Sequence, residues 1–204
     1  QTCALPISGK LAACLAAGAT LVLDGVEELT AHVRHLTASF RDALHASNHV
    51  NLYAGWHGQK GLDLHFDTQE VMVMQVSGRK RWQVFKPTRV NPLPDDEEAA
   101  PRPTAPPVFD GVLEDGDMLY IPRGWWHVAF PLNEPSLHLT VATEPPLGTH
   151  LLAWLVNRLR THEAVRAQVP WLDDAQGQAA YLEALRPLLA QVLTPQTLAR
   201  SEEH

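Results

Sequence analysis

Cysteine is almost missing from this chain of 204 residues: Cys3 and Cys14 are the only two. Two thiols cannot build a disulfide framework or a thiolate metal site, and a reducing, cytoplasmic setting fits that usage. Long apolar runs are missing too. The longest, Leu11 to Leu23, is broken by Gly18 and Thr20 and falls short of the ~20 residues a membrane helix needs. No basic segment precedes it with a cleavage site behind it, so no signal peptide is expected. Positive charge is scarce: 16 Lys and Arg stand against 23 Asp and Glu, giving a net charge of −7 and an isoelectric point near 5.8. Duplex-binding surfaces gather Lys and Arg to displace counterions, and here only Arg79-Lys80-Arg81 lie close together. Neither direct nucleic-acid binding nor a membrane association is expected.

What is present describes an ordinary globular chain, 45% hydrophobic with a mean hydropathy of −0.15. It is long enough for one sizeable core with a small appendage. The start at Gln1 rather than Met suggests a fragment, and residues 1–7 carry no expectation. Thr20 to Leu23 reads as a short buried strand stopped by Asp24-Gly25. Leu29, Val33, Leu36, Phe40 and Leu44 recur at steps of three and four, predicting an amphipathic helix from about Val26 to Ala46.

From Val50 to Thr143 the period changes. Short runs rich in Val, Leu, Tyr and Trp fall at 50–53, 62–67, 71–76, 81–85, 117–121, 127–130 and 136–143, separated by Gly, Pro and Asp. Such a series predicts a sandwich or barrel, with Ser77-Gly78 as a tight turn. The proline-rich stretch 91–107, carrying Asp95, Asp96, Glu97 and Glu98, reads as a surface loop. From about Leu147 helical spacing returns, first through Leu151, Leu155 and Leu159, then through Tyr181, Leu185, Leu188 and Val192. Asp173 or Asp174 is a candidate cap for the second of these helices, and Pro187 should kink or split it. The expected division is a strand and helix over 1–49, a barrel over 50–146 and a helical region over 147–204.

His65-Phe66-Asp67 is the first chemical signal. On a strand, residues two apart share a face, so the imidazole and the carboxylate can reach one point while Phe66 packs behind them. A second imidazole from another strand would complete a two-histidine, one-carboxylate face, the set that suits non-haem Fe(II) and leaves coordination positions open. The bland alternative is a hydrogen-bonded His–Asp pair on a surface strand. The second signal is Gly116-Asp117-Met118-Leu119-Tyr120-Ile121-Pro122-Arg123-Gly124-Trp125-Trp126-His127. Two turns there flank a strand, and His127 opens the next one; a hairpin with an incidental histidine is the competing account.

His-x-Asp followed by Gly-Asp-x-Leu-Tyr-Ile-Pro-x-Gly-x-x-His resembles the Jumonji-C branch of the cupin fold, and within it the ribosomal oxygenases. The resemblance spans roughly Gly18 to Leu159. It implies a mainly β protein, a double-stranded β-helix (jelly-roll) barrel with C-terminal helices, and it implies that His65, Asp67 and His127 bind Fe(II). The implied activity is 2-oxoglutarate-dependent dioxygenase chemistry that hydroxylates a protein side chain, with a ribosomal protein as first guess for the substrate. Leu64 departs from the proline that the family often places before the metal histidine. Larger family members continue into a winged-helix domain; this sequence stops at His204, so that domain is either absent or was cut away.

A cosubstrate with two carboxylates needs a cation inside the barrel. Alternation over Arg79–Phe85 sets Lys80, Trp82 and Val84 on one face and Arg79, Arg81 and Gln83 on the other. The apolar face should be the interior, taking Lys80 with it, where a bound carboxylate would compensate its burial. The alternative is three solvated cations at a hairpin end. Family members carry Lys or Arg at this place for that carboxylate, and Asn51 and Tyr53 match polar positions that contact 2-oxoglutarate in the family. His138 and Thr140 are expected in the same cavity wall, His138 as a satisfied core histidine. The C-terminal helices resemble a segment through which family members form homodimers, although such stripes usually pack on their own domain. Two rival functions stand beside this reading. One is a cupin metalloenzyme without 2-oxoglutarate, in which Glu70 would join a four-ligand site; the other is a metal-free binding module that kept the barrel.

Overall fold

Residues 7–56, 61–96, 100–172 and 174–201 are described by the computed structural model, with side chains from 9 to 198 among them. The expectations attached to Cys3, Glu97, Glu98, Asp173 and His204 lie outside the described residues. The chain divides into two compact units, Gln1–Pro145 and Pro146–His204.

The first unit is built on eight antiparallel strands. One sheet runs in the order β1 (Leu21–Leu23), β2 (Ser47–Gly55), β8 (Ser136–Glu144), β3 (Glu70–Ser77), β6 (Met118–Ile121); the other runs β5 (Phe109–Leu113), β4 (Lys80–Phe85), β7 (Trp126–Pro131). Period-two alternation gives β3, in the middle of the larger sheet, two apolar faces. Val71 and Val73 of β3 meet Trp82 and Val84 of β4, Leu113 and Ile121 in the core of the barrel. On the other face Val50, Val141, Met72 and Met74 pack against Val33, Leu36 and Phe40, so the sheet is covered on both sides. The β3–β4 turn needs Gly78: its φ is +69°, and a Cβ there would lie 2.0 Å from the Pro135 carbonyl oxygen.

Several expectations need correction, among them the buried strand at 20–23, where Val22 and Leu23 are 42% and 39% exposed. The helix predicted from Val26 is two helices, α2 (Val26–Leu29) and α3 (Ala31–Leu44), preceded by α1 (Ile7–Ala16), which the sequence reading had not assigned. Thr30 makes the break: it is extended (φ −136°, ψ 139°), and its hydroxyl accepts a hydrogen bond from the Val33 amide at 3.2 Å. The capping bond outweighs the apolar stripe that runs across it. The run at 62–67 is no strand; His65 alone makes a β-bridge, to His127. Strand β5 was not expected, because Asp110 and Gly111 break its apolar pattern. Of the two outcomes expected at Pro187, a split is absent: one helix runs through it from Ala175 to Val192.

The second unit contains α4 (Gly148–Leu159), α5 (Glu163–Arg166), α6 (Ala175–Val192) and α7 (Pro195–Ser201), with α5 against α6 and α4 against α7. Asp174 caps α6, its carboxylate accepting from the Gly177 amide at 2.8 Å. No helix among the described residues is long and apolar enough to cross a membrane.

Candidate metal centre

His127 lies on β7 opposite Val84 of β4, which fixes it in the barrel wall. His65 stands outside any named strand and is held beside it by two main-chain bonds. The His127 amide donates to the His65 carbonyl at 2.7 Å, and the His65 amide to the His127 carbonyl at 3.2 Å. The convergence of the two imidazoles therefore comes from a single bridge between distant segments rather than from alternation along one strand. Their ring centroids are 4.4 Å apart.

Each imidazole has one nitrogen on a backbone carbonyl two residues upstream. His65 Nδ1 is 2.6 Å from the Asp63 oxygen, and His127 Nδ1 is 3.1 Å from the Trp125 oxygen. Both Nδ1 positions suit a donated N–H, which leaves both Nε2 lone pairs free to ligate. They face Asp67: its carboxylate oxygens lie 3.9 Å from His65 Nε2 and 3.4 Å from His127 Nε2. One ligand atom from each of the three residues falls within 4.8 Å of the others. Burial pushes the His127 imidazole pKa down, against the opposing pull of the Asp67 carboxylate, and so favours the neutral, ligating form.

The backbone that carries Asp67 is anchored as well. Its carbonyl accepts from the Gly124 amide at 2.8 Å. Gly124 has a φ of +81°, and a Cβ there would meet Pro92 at 2.8 Å; this is a structural reason for glycine within the second motif. Buried Phe66 packs edge-on against Trp126, whose indole N–H donates to the Thr88 hydroxyl at 2.9 Å.

The three residues open onto a cavity of about 490 Å³ whose wall also includes Lys80, Trp82, Tyr53, His138 and Thr140. Lys80 is 8% exposed, and no carboxylate pairs with it among the described residues; burial alone brings its pKa down to about 8. Its neighbours in sequence behave differently. Arg79 pairs with Glu134 and Arg81 with Asp110, on the outer face. The alternation expected for this strand is present, with Lys80, Trp82 and Val84 buried together.

Asn51 and Tyr53 share a face of β2, opposite Thr140 and His138. Tyr53 reaches the cavity, whereas Asn51 stands one step behind, close enough to the Tyr53 hydroxyl to pull its pKa down against the larger effect of burial. Burial, reinforced by the Asp67 charge, raises the Tyr53 pKa. His138 is not the satisfied core histidine expected. It is stacked on Tyr53 at 4.9 Å and lies edge-on to Trp82, yet among the described residues its Nδ1 has no hydrogen-bond partner, and neither has Trp82 Nε1. Burial and then the Lys80 charge lower the His138 pKa to about 3, so the ring stays neutral. Glu70, the fourth ligand of the rival metalloenzyme reading, is engaged elsewhere. It accepts from the Tyr120 hydroxyl at 2.6 Å and the Arg123 amide at 3.2 Å, and is not part of the cluster. Sequence reasoning gave no role to Gly18, Ala19, Val22, Gly61 and Leu62, which complete the cavity wall. No local motif marks them; only long-range pairing brings them there.

An antiparallel barrel carrying two histidines and a carboxylate on its inner wall defines the cupin class of metal-binding folds. The model of the JmjC domain family matches residues 28–151, and the chain belongs to that family. Among curated relatives, the bifunctional lysine-specific demethylase and histidyl-hydroxylase NO66 of Drosophila persimilis is 33% identical over 111 residues, 54% of this chain and 16% of that protein. Ribosomal oxygenase 2 of Rattus norvegicus is 38% identical over 96 residues, 46% of this chain and 20% of that protein. The chain thus spans a fifth or less of these two relatives. The solved structure of Escherichia coli ycfD shares the fold, with a TM-score of 0.65 and 21% identity, over 87% of this chain and 49% of that one. A structure of YcfD, described as a ribosomal oxygenase in complex with cobalt and 2-oxoglutarate, superposes with a TM-score of 0.63 at 19% identity, over 89% of this chain and 49% of that one.

Proposed function

We propose that the chain is an Fe(II)- and 2-oxoglutarate-dependent oxygenase that hydroxylates a protein side chain, with ribosomal proteins as the substrate class. One observation carries the reading: a three-ligand cluster and a buried lysine, without a carboxylate partner among the described residues, share a single cavity. The donor set fits the metal. Two imidazoles and one carboxylate occupy one face of an ion and leave the rest for a chelating cosubstrate and O2. The lysine fits the cosubstrate, because a buried ammonium without a partner is costly and a carboxylate would offset that cost. A metal-free module leaves the cost uncompensated.

In this reading His65 and His127 hold the ion through Nε2 and Asp67 through its carboxylate. Bound Fe(II) would couple the oxidation of 2-oxoglutarate to succinate and CO2 with insertion of an oxygen atom into a substrate C–H bond. Lys80 holds the far carboxylate of the cosubstrate and so orients its chelating end. Tyr53, braced by Asn51, offers a hydroxyl to the same pocket. Val71, Val73 and Ala129 line the cavity and keep water from that region. NO66 is named as a histidyl-hydroxylase and YcfD as a ribosomal oxygenase, which supports a protein substrate. The chemistry is assigned to the barrel, residues 50–146; helical residues 147–204 pair two copies in a homodimer. The setting is cytoplasmic, without direct nucleic-acid or membrane binding.

The test is incubation under air with Fe(II), 2-oxoglutarate and acid-extracted ribosomal proteins. Succinate should form, and one ribosomal protein should gain a single oxygen atom by mass spectrometry. No succinate above that of a His127→Ala control would reject the proposal.

A further inference from the structure

Three side chains form one row across the larger sheet. Val22 on β1 lies opposite Tyr53 on β2, and Tyr53 lies opposite His138 on β8. All three line the cavity, as cross-strand neighbours on one face should. The row ends at Val22, which is 42% exposed, because β1 is the outermost strand of the sheet among the described residues. An outermost strand presents backbone N–H and C=O groups along its free edge, and extended peptides add to such edges by main-chain hydrogen bonding. A guest strand about 4.8 Å beyond β1 would continue the row by one position. Its residue opposite Val22 would point its side chain into the cavity that holds His65, Asp67 and His127.

Resting on the oxygenase reading above, we infer that the substrate docks as an extended polypeptide hydrogen-bonded to the free edge of β1, with the side chain to be oxidised opposite Val22. The cavity wall on that side leaves room for such a side chain, being made of Gly18, Ala19, Thr20 and Gly61. Gly61 keeps that wall open, since a Cβ there would lie 3.0 Å from the Thr20 hydroxyl. Charge specifies the guest. Asp24 follows β1 directly and lies near enough to act on Tyr53. The chain as a whole carries −7. The one Lys or Arg of the cavity wall among the described residues, Lys80, is buried and assigned to the cosubstrate. The guest segment is therefore basic.

The test uses the full chain with Fe(II), 2-oxoglutarate and overlapping synthetic peptides that tile the ribosomal proteins. The peptide that gains oxygen is then resynthesised with single backbone N-methyl groups at successive positions. Edge pairing predicts that turnover falls about tenfold or more at alternate positions around the oxidised residue and little at those between. It also predicts that the peptide slows amide exchange at Leu21–Leu23. Uniform tolerance of N-methylation, or unchanged exchange at β1, overturns edge docking. So does a failure of every peptide to gain oxygen although the Fe(II)–2-oxoglutarate chelate forms, an outcome that leaves the oxygenase reading standing. Absence of the chelate removes that reading, and edge docking with it.

Discussion

The barrel unit and the helical unit bury their side chains by opposite rules. In the barrel, Lys80, His127, His138, Gln75 and Thr143 are all buried, and three of these five line one cavity. In the helical unit the buried side chains among the described residues are Leu155 and Leu159, both apolar, while Trp171 and Leu172 stand 79% and 100% exposed. A globular fold tolerates unpaired polar groups inside only at a cost, and it exposes large apolar groups together mainly where something covers them. In the proposed reading the barrel takes an ion and an anion, and the helical unit meets a second copy of the chain.

The contrast can be broken most sharply at the ligands. His127→Ala should lower turnover by about a thousandfold or more and abolish stoichiometric Fe(II) binding, read by single-turnover assay and metal analysis. Lys80→Ala should raise the KM for 2-oxoglutarate by roughly a hundredfold, the range for leaving one partner of a buried charge pair alone. Metal content should not change, and Lys80→Arg should restore part of the affinity. Equal KM values for Lys80→Ala and the parent chain would return Lys80 to a structural role.

The titration of Lys80 gives a smaller effect with a defined sign. Burial lowers its pKa to about 8, and the cosubstrate carboxylate binds the protonated form. Binding should thus be complete in affinity well below pH 8 and weaken as pH rises through it, by about tenfold between pH 7 and pH 9. Isothermal titration across that range checks it, and Lys80→Arg should flatten the dependence. The smallest change concerns the helices. Leu182 and Leu189 of α6 are 54% and 46% exposed; replacing both with Glu should halve the mass in sedimentation, from about two chains to one, while leaving chelate formation intact.

Much of this arrangement was legible from local pattern. Alternation set Lys80 with Trp82 and Val84 because a strand buried on one face repeats every second residue, and the structure buries those three together. The three candidate ligands meet within 4.8 Å, but not for the reason the pattern suggested. His65 and Asp67 do not project from a strand; one bridge to His127 and the Gly124 bond to the Asp67 carbonyl bring them together. Such bonds join segments far apart in sequence and leave no periodic trace. Strand β5 was hidden by Asp110, whose carboxylate on the outer face is tied up with Arg81 and Gln83. The wall formed by Gly18, Val22 and Gly61 was hidden because its residues acquire meaning only once β1 has paired with β2. His138 was misread because its motif resembles core packing, and the missing partner of Nδ1 is visible only in three dimensions.

The most direct measurement is anaerobic addition of Fe(II) and then 2-oxoglutarate to the purified chain, followed by visible absorption. A metal-to-ligand charge-transfer band should develop with one equivalent of each, and should be lost in Asp67→Ala. A protein that stays colourless, while keeping its folded circular dichroism spectrum, would contradict the account at its centre.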